Sequence, residues 1–431
     1  MSERPLQVAI AAETIPYIEG GLGYFLLNAV SKLAVAKPSW QFKVVASSSF
    51  RQLAQIEMPN VEVIFWDRRL LQRATASLLG RLLPAGGVRV VNYALSEYVP
   101  SHWLRGKWGN LKSIWKSLSA VDAVWAPHFT IGSSRFSLLR NLSLVRAPIL
   151  FTIHDIHPVF FPNDWPPESL ARFWEEFVPF AQRSRCIITH SHAQRAAIIE
   201  HLEIGPDKVL VTPCPPLMDT AALLHTYAKT EIDALLSRYH ISLPFVLYPA
   251  STTHTHKNHT RLLLAWAELQ RLLGTRCPTL VCTAKGHLWP ALRALIEALE
   301  LQERVIFTDT VDTTTLAMLL QGCAFVIVPT LYEGGGSGPV AEACLAGKPV
   351  VCSKIPQIEE QLHSYGSCYE TFFAPDSVDA IVQAVESALE RLPDLESQAK
   401  NVQKDVLAQV PKLWEEWVRR YTEQIRNMVT N

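Results

Sequence analysis

Three short stretches carry the residue types best equipped for chemistry. The first is Tyr332-Glu333-Gly334-Gly335-Gly336-Ser337-Gly338-Pro339-Val340-Ala341-Glu342. Four glycines ahead of a helix start offer backbone N–H groups and an anion-favouring helix end together. Glu333 could accept hydrogen bonds from sugar hydroxyls, and Glu342 could reach the hydroxyls of a ribose. Two carboxylates could equally signal hydrolytic acid–base chemistry, which sequence spacing alone does not decide. The plain structural alternative is a flexible turn followed by a solvated helix.

The second stretch runs from Tyr248 to His259 and contains Ser251 and Lys257. A lysine after a strand is a point charge able to neutralise a diphosphate, or an ordinary solvated loop residue. Its histidines lack the spacing of a ligand set, and no DxD pair supports a divalent ion, so no metal site is expected. The third stretch is Thr152-Ile153-His154-Asp155-Ile156-His157-Pro158. His154 could bond a substrate hydroxyl or pair with Asp155, and Asp155 could instead cap the next element. No GxSxG elbow accompanies them, which disfavours serine hydrolysis. Near the start, Gly20-Gly21-Leu22-Gly23 would let a phosphate or sugar approach the backbone, although it is not a GxGxxG fingerprint. A tight turn fits it equally well.

These loops need strands to aim them. Apolar runs at Leu6–Ala12, Phe42–Ala46, Val61–Phe65, Val88–Val90, Ala123–Trp125, Ile149–Ile153 and Cys186–Thr189 read as buried strands. A second series reads as Phe245–Tyr248, Thr279–Cys282, Arg304–Phe307, Phe325–Val328 and Pro349–Cys352. Helix-compatible segments separate most of them, and His225–Tyr239 reads as a linking helix. The expected fold class is α/β, with two doubly wound domains facing a cleft. The expected divisions are residues 1–224, 225–410 and a terminal helix over 411–431 that begins near Pro411. A partner-binding role for that helix is the alternative.

Composition narrows the partners. The 431 residues exceed one ordinary core. Forty Lys plus Arg balance forty Asp plus Glu, so no nucleic-acid partner is expected. The eight cysteines form no CxxC pair and read as buried thiols of a reducing compartment. No signal-peptide pattern opens the sequence, and the expected location is cytoplasmic. Two basic, partly apolar stretches, Arg68–Leu83 and Trp103–Lys116, leave peripheral contact with the inner face of a membrane open. Ordinary helices with charges in water explain them as well.

Taken together, the segment from Tyr332 to Glu360, the Lys257-Asn258-His259 neighbourhood and Thr152–Asp155 resemble the retaining glycosyltransferases of the GT-B fold, family 4. The resemblance spans nearly the whole chain. It implies sugar transfer from a UDP- or GDP-sugar to a glycan, glycolipid or small-glycoside acceptor, without a metal cofactor. By that resemblance the second domain holds the donor and the first receives the acceptor. Glu333 would contact the donor sugar, Glu342 the ribose and Lys257 the diphosphate. Ser251, Gly335, Gly336, Ser337 and Gly338 would complete the donor site. His154 would lie against the sugar, and Gly21 and Gly23 would approach the phosphate from the other domain. Two features depart from the family. Eight residues separate Glu333 from Glu342, where relatives usually have seven, and no arginine stands near Ser251. A GT-B phosphorylase, a nucleotide-sugar hydrolase or a weakly catalytic sugar-nucleotide-binding protein are the competing expectations.

Overall fold

A computed structural model describes residues 5–12, 15, 21–47, 50–66, 120–129, 146–217, 220–252, 254–284, 290–366 and 371–430. Val88–Val90 and the basic stretches between Arg68 and Lys116 lie outside the described residues.

The first sheet contains β1 (Gln7–Ala12), β2 (Gln41–Ser47), β3 (Val61–Trp66), β4 (Ala123–Ala126), β5 (Ile149–Thr152), β6 (Cys186–Thr189) and β7 (Val209–Val211). Their order is β3-β2-β1-β4-β5-β6-β7, and the pairings are parallel. The second sheet contains β8 (Phe245–Tyr248), β9 (Thr279–Cys282), β10 (Val305–Phe307), β11 (Phe325–Val328), β12 (Val350–Ser353) and β13 (Phe372–Phe373). Its order is β10-β9-β8-β11-β12-β13, again parallel. Helices on both faces bury the strands, which is why their sequences are continuously apolar rather than alternating. Every residue of β4, β6, β8, β9, β11 and β12 is buried.

Each order reverses beside its first strand, between β1 and β4 and between β8 and β11. Open α/β sheets place ligands outside the carboxyl ends of the strands at such switch points. The segments after β4, β5 and β6 meet the segments after β8 and β11, so the two switch points share one cleft.

Several elements differ from expectation. β7 and β13 are too short to stand out as apolar runs. The expected linking helix over His225–Tyr239 is the helix Lys229–Arg238, preceded by a separate short helix, Thr220–Leu224. The expected turn at Gly21 and Gly23 is instead the opening of the helix Gly21–Ala36. The terminal helix begins at Leu392, well before Pro411, and runs for 39 residues to Thr430. A proline inside a helix removes one N–H bond and crowds the carbonyl four residues back, at a cost of about 3 kcal/mol. Here apolar contacts hold the helix on both sides of it. Val402 and Val406 pack into the core of the second sheet. Trp414, Trp417, Tyr421, Ile425 and Met428 pack into the core of the first.

Among the described residues no helix is long and apolar enough to cross a membrane. The seven described cysteines are free thiols. Burial raises several of them, Cys186 to about 12.

Candidate active site

The first-domain wall is built from strand ends. Thr152 closes β5, and its hydroxyl accepts from Trp125 Nε1–H at 2.9 Å while standing 3.0 Å from Tyr421 of the terminal helix. Two residues on, His154 leaves the sheet half-buried. Its Nε2 is 2.8 Å from the carbonyl of Pro127, and its Nδ1 is 3.1 Å from Nε2 of His190, which follows β6. Phe25 of the helix Gly21–Ala36 packs edge-on against both rings. Burial first, and neighbouring histidines second, hold His154 well below its ordinary value. Burial lowers His128 and His190 to about 4. This wall therefore presents neutral rings near neutral pH.

The second-domain wall carries charge. Lys257 ends the short turn Thr255–Lys257, where the Tyr248 hydroxyl donates to its carbonyl at 2.7 Å. Asn258 then takes the left-handed region at φ 61°, which asparagine tolerates, and its amide donates to Pro329 and Pro375 carbonyls. This fixes the lysine backbone. Lys257 Nζ meets Glu333 Oε1 at 2.6 Å, with the two side chains 20% and 12% exposed. The glycine turn then passes Gly336 at φ 109° and enters the helix Gly338–Leu345. Gln361 clamps the turn, accepting from the Ser337 N–H at 2.7 Å and donating to the Ser337 carbonyl at 2.9 Å. Glu342 folds back toward that helix start, its Oε1 lying 3.8 Å from where a Gly338 Cβ would stand. Burial raises its carboxyl to about 7. The buried Oγ of Ser337 and Oε2 of Glu342 make no hydrogen bond.

The walls touch directly. A Cβ on Gly334 would fall 1.7 Å from the His154 carbonyl oxygen, and one on Gly335 would fall 2.2 Å from His190 Cβ. Only glycine permits that approach. Ser191 Oγ donates to the Gly334 carbonyl at 2.7 Å. Tyr332 accepts from the Ile156 N–H at 3.0 Å and donates to Gln194 at 2.7 Å. Glu360 accepts from the first N–H groups of the helix His192–Leu202, a favourable site for an anion. A cavity of about 250 Å³ remains between the walls, bordered by His128, His154, Asp155, Trp165, Glu333 and Gly334.

Beside it, Asp164 accepts from the N–H and hydroxyl of Thr255 at 2.8 and 2.7 Å. His157, Asp164 and His254 bring three potential metal-binding atoms within 4.8 Å of one another. Trp165 Nε1–H donates to His157 Nδ1 at 2.7 Å, so a neutral His157 carries its proton on Nε2, 3.3 Å from Asp164. That tautomer leaves no lone pair for a metal. Asp164 and Thr255 form the hydrogen-bonded latch between the domains.

The cleft thus gathers His154, Lys257, Glu333, Gly335, Gly336, Ser337, Gly338 and Glu342 at the strand ends. Ser251 lies exposed between β8 and the lysine turn. Gly21 is exposed at its helix start, and nothing lies within 4 Å of a Cβ placed there, while Gly23 is buried inside the helix. Among the described residues, the connection of this helix to the histidine wall runs through Phe25 rather than these glycines. Sequence reading missed His190, Asp164, Gln194 and Gln361. Each works through a partner distant in the chain, and the one local signal was a second histidine, His190, after an apolar run.

Residues 242–405 match the glycosyl transferases group 1 family. O-antigen chain mannosyltransferase B of Escherichia coli is 25% identical over 378 residues, covering 87% of this chain and 88% of its own. O-antigen chain mannosyltransferase RfbU of Salmonella typhimurium is 24% identical over 377 residues, covering 84% of this chain and 90% of its own. Among solved structures, Anabaena HepE in complex with UDP-glucose superposes with a TM-score of 0.65 at 16% identity. That likeness covers 97% of this chain and all of the other, and it establishes a shared two-domain fold.

Proposed function

We propose that this chain, a GT-B enzyme of the glycosyltransferase class related to the glycosyl transferases group 1, moves a hexose from a nucleoside-diphosphate sugar to an acceptor hydroxyl with retained anomeric configuration. The acceptor is a glycan, glycolipid or small glycoside. One observation carries the reading. The unpartnered buried oxygens of Ser337 and Glu342 stand at a helix start that follows the Lys257–Glu333 ion pair. A sugar nucleotide supplies what these groups lack: hydroxyls that donate to Glu342 and an anion for Lys257 and the helix end. The mannosyltransferase relatives and the UDP-glucose held by HepE support a hexose donor.

In this mechanism residues 225–410 bind the donor and residues 1–224 receive the acceptor. The final stretch, 411–431, ties the donor domain back to the first. Lys257 exchanges Glu333 for the diphosphate and stabilises the charge that develops as the sugar leaves. Glu333, released from the lysine, accepts from sugar hydroxyls. The departing phosphate takes the acceptor proton. His154 orients the first-domain wall, since both its ring nitrogens already face fixed partners. Closure excludes water and aligns the acceptor. The reaction belongs in the cytoplasm, and vesicle pelleting at two salt concentrations tests peripheral membrane contact through the basic stretches between Arg68 and Lys116.

The test is a panel of UDP-glucose, GDP-mannose and UDP-N-acetylglucosamine against glycan, glycolipid and small-glycoside acceptors, with products read by NMR. One donor is expected to yield a product with unchanged anomeric configuration. Complete inversion would overturn retention. Phosphate built into the product would identify a phosphorylase, and turnover without acceptor a hydrolase. Donor binding without transfer to any acceptor would leave only a binding protein.

A further inference from the structure

The rings of His154 and His190 form a short chain of hydrogen bonds whose two ends are fixed. His154 Nε2 faces the Pro127 carbonyl at 2.8 Å, and His190 Nδ1 faces the Thr212 carbonyl at 3.0 Å. A carbonyl oxygen only accepts, so each of these nitrogens must carry a proton. The two remaining nitrogens, His154 Nδ1 and His190 Nε2, face each other at 3.1 Å. A neutral imidazole has one N–H. Two neutral rings would therefore oppose two lone pairs across that gap. One further proton converts the contact into an N–H···N bond and gives the pair a single positive charge.

The position of that charge matters. The glycine turn lies directly on the pair, with Gly334 against the His154 carbonyl and Gly335 against His190 Cβ. The same turn connects Glu333 to the helix start at Gly338. The groups around the pair are mostly uncharged. Phe25 comes from the helix Gly21–Ala36. His128, with its ring centre 6.2 Å from that of His154, is itself held neutral by burial. The terminal helix presents Trp417 to Phe25. Asp155 follows His154 in the chain, and the Lys257–Glu333 pair carries no net charge. Burial disfavours a proton on either ring, so the pair needs an incoming anion to take one up.

We infer that His154 and His190 take up one proton, held between Nδ1 and Nε2, when the diphosphate of a sugar nucleotide occupies the cleft, which makes His190 a positioning residue for the transfer. The inference rests on the donor reading above. The proton comes from solvent, one N–H bond forms, and the charge of the pair rises by one. The shared proton fixes both rings, and with them the His154 backbone on which Gly334 sits. Linkage then sets the sign. Proton uptake on binding means donor affinity falls as pH rises, by up to about tenfold per pH unit for one proton. Glu342 acts oppositely, because hydroxyls donating to its carboxylate favour proton release.

Calorimetry of the full chain with UDP-glucose or GDP-mannose, in buffers of different ionisation heat, counts the protons. Wild type is expected to take up about one proton more than His190→Phe, following the linkage above. His190→Asn, whose amide bonds without titrating in this range, is expected to match the Phe variant. Equal proton counts in wild type and both variants would overturn the inference. Nitrogen-15 histidine NMR on the chain without ligand gives a readout independent of the donor. It is expected to show neutral His190 protonated on Nδ1 and neutral His154 on Nε2, with one shared proton entering as pH falls. His190 resting protonated on Nε2, or two rings titrating independently, would overturn it. Failure of both sugar nucleotides to bind would sink the donor reading alone, and the NMR titration would still decide the pair.

Discussion

The two walls of the cleft use their polar groups in opposite ways. On the first-domain wall, both nitrogens of His154 and of His190 face fixed partners, and burial keeps the rings neutral. On the second-domain wall, an ion pair stands partly exposed and two buried oxygens have no partner. Neutral rings anchored to backbone carbonyls shape a surface. Charges and unpartnered acceptors retain capacity for a ligand. The difference assigns scaffolding and closure to the first wall and most of the donor chemistry to the second.

The largest effect is expected at Lys257. Lys257→Ala should lower transfer with the preferred donor by about a hundredfold or more, as loss of a charge-stabilising group does. His154→Ala should cost less. Steady-state rates for the two variants measure the contrast, and a greater loss at His154 would reverse the roles of the walls.

Contact between the walls comes next. Gly334→Ala places a Cβ 1.7 Å from the His154 carbonyl oxygen and 2.9 Å from Asp155 Cβ. Backbone cannot yield cheaply there, so the domains must part. Transfer should fall by at least about tenfold, of the order that misplacing a bound substrate costs, and the scattering radius should increase. Gly21→Ala is the control, since nothing lies within 4 Å of its Cβ and it opens a helix. Its stability should change by no more than about 1 kcal/mol. Unchanged compactness and activity in Gly334→Ala would show that the walls do not depend on this approach.

A smaller effect separates the walls by pH. Burial raises the Glu342 carboxyl from 4.5 to about 7. Between those values the folded chain holds a proton that the unfolded chain has lost. The contribution to stability is therefore full below about pH 4.5 and declines as pH rises to about 7, by on the order of 3 kcal/mol. Buried histidines act in the opposite direction over the same range in both chains, so the decline should appear in denaturant unfolding as a loss of wild-type stability relative to Glu342→Gln. An identical slope in the variant would remove Glu342 as its source.

Much of the scaffold could be read in advance for a simple reason. Strands buried on both faces must be apolar throughout, and that leaves a local mark. Cys186–Thr189, Phe245–Tyr248, Thr279–Cys282 and Phe325–Val328 fall where the apolar runs stand. The terminal helix was harder to bound, because Pro411 resembles a start when its flanking packing is unseen. In the site, the glycine run and its two glutamates announced themselves by spacing. His190 and Gln361 did not, because nothing beside them in the chain tells what they touch.

The sequence by itself determined two α/β series and the order of the loops that end their strands. It also determined a glycine-rich turn that admits another backbone. These are local consequences of apolar runs and missing Cβ atoms. Tertiary structure alone decided the partners. His154 meets His190 across 36 residues, Lys257 meets Glu333 across 76, and Asp164 meets Thr255 across 91. Such pairings depend on which strands lie side by side and on how closely two sheets face each other. Both are settled only when the chain has packed.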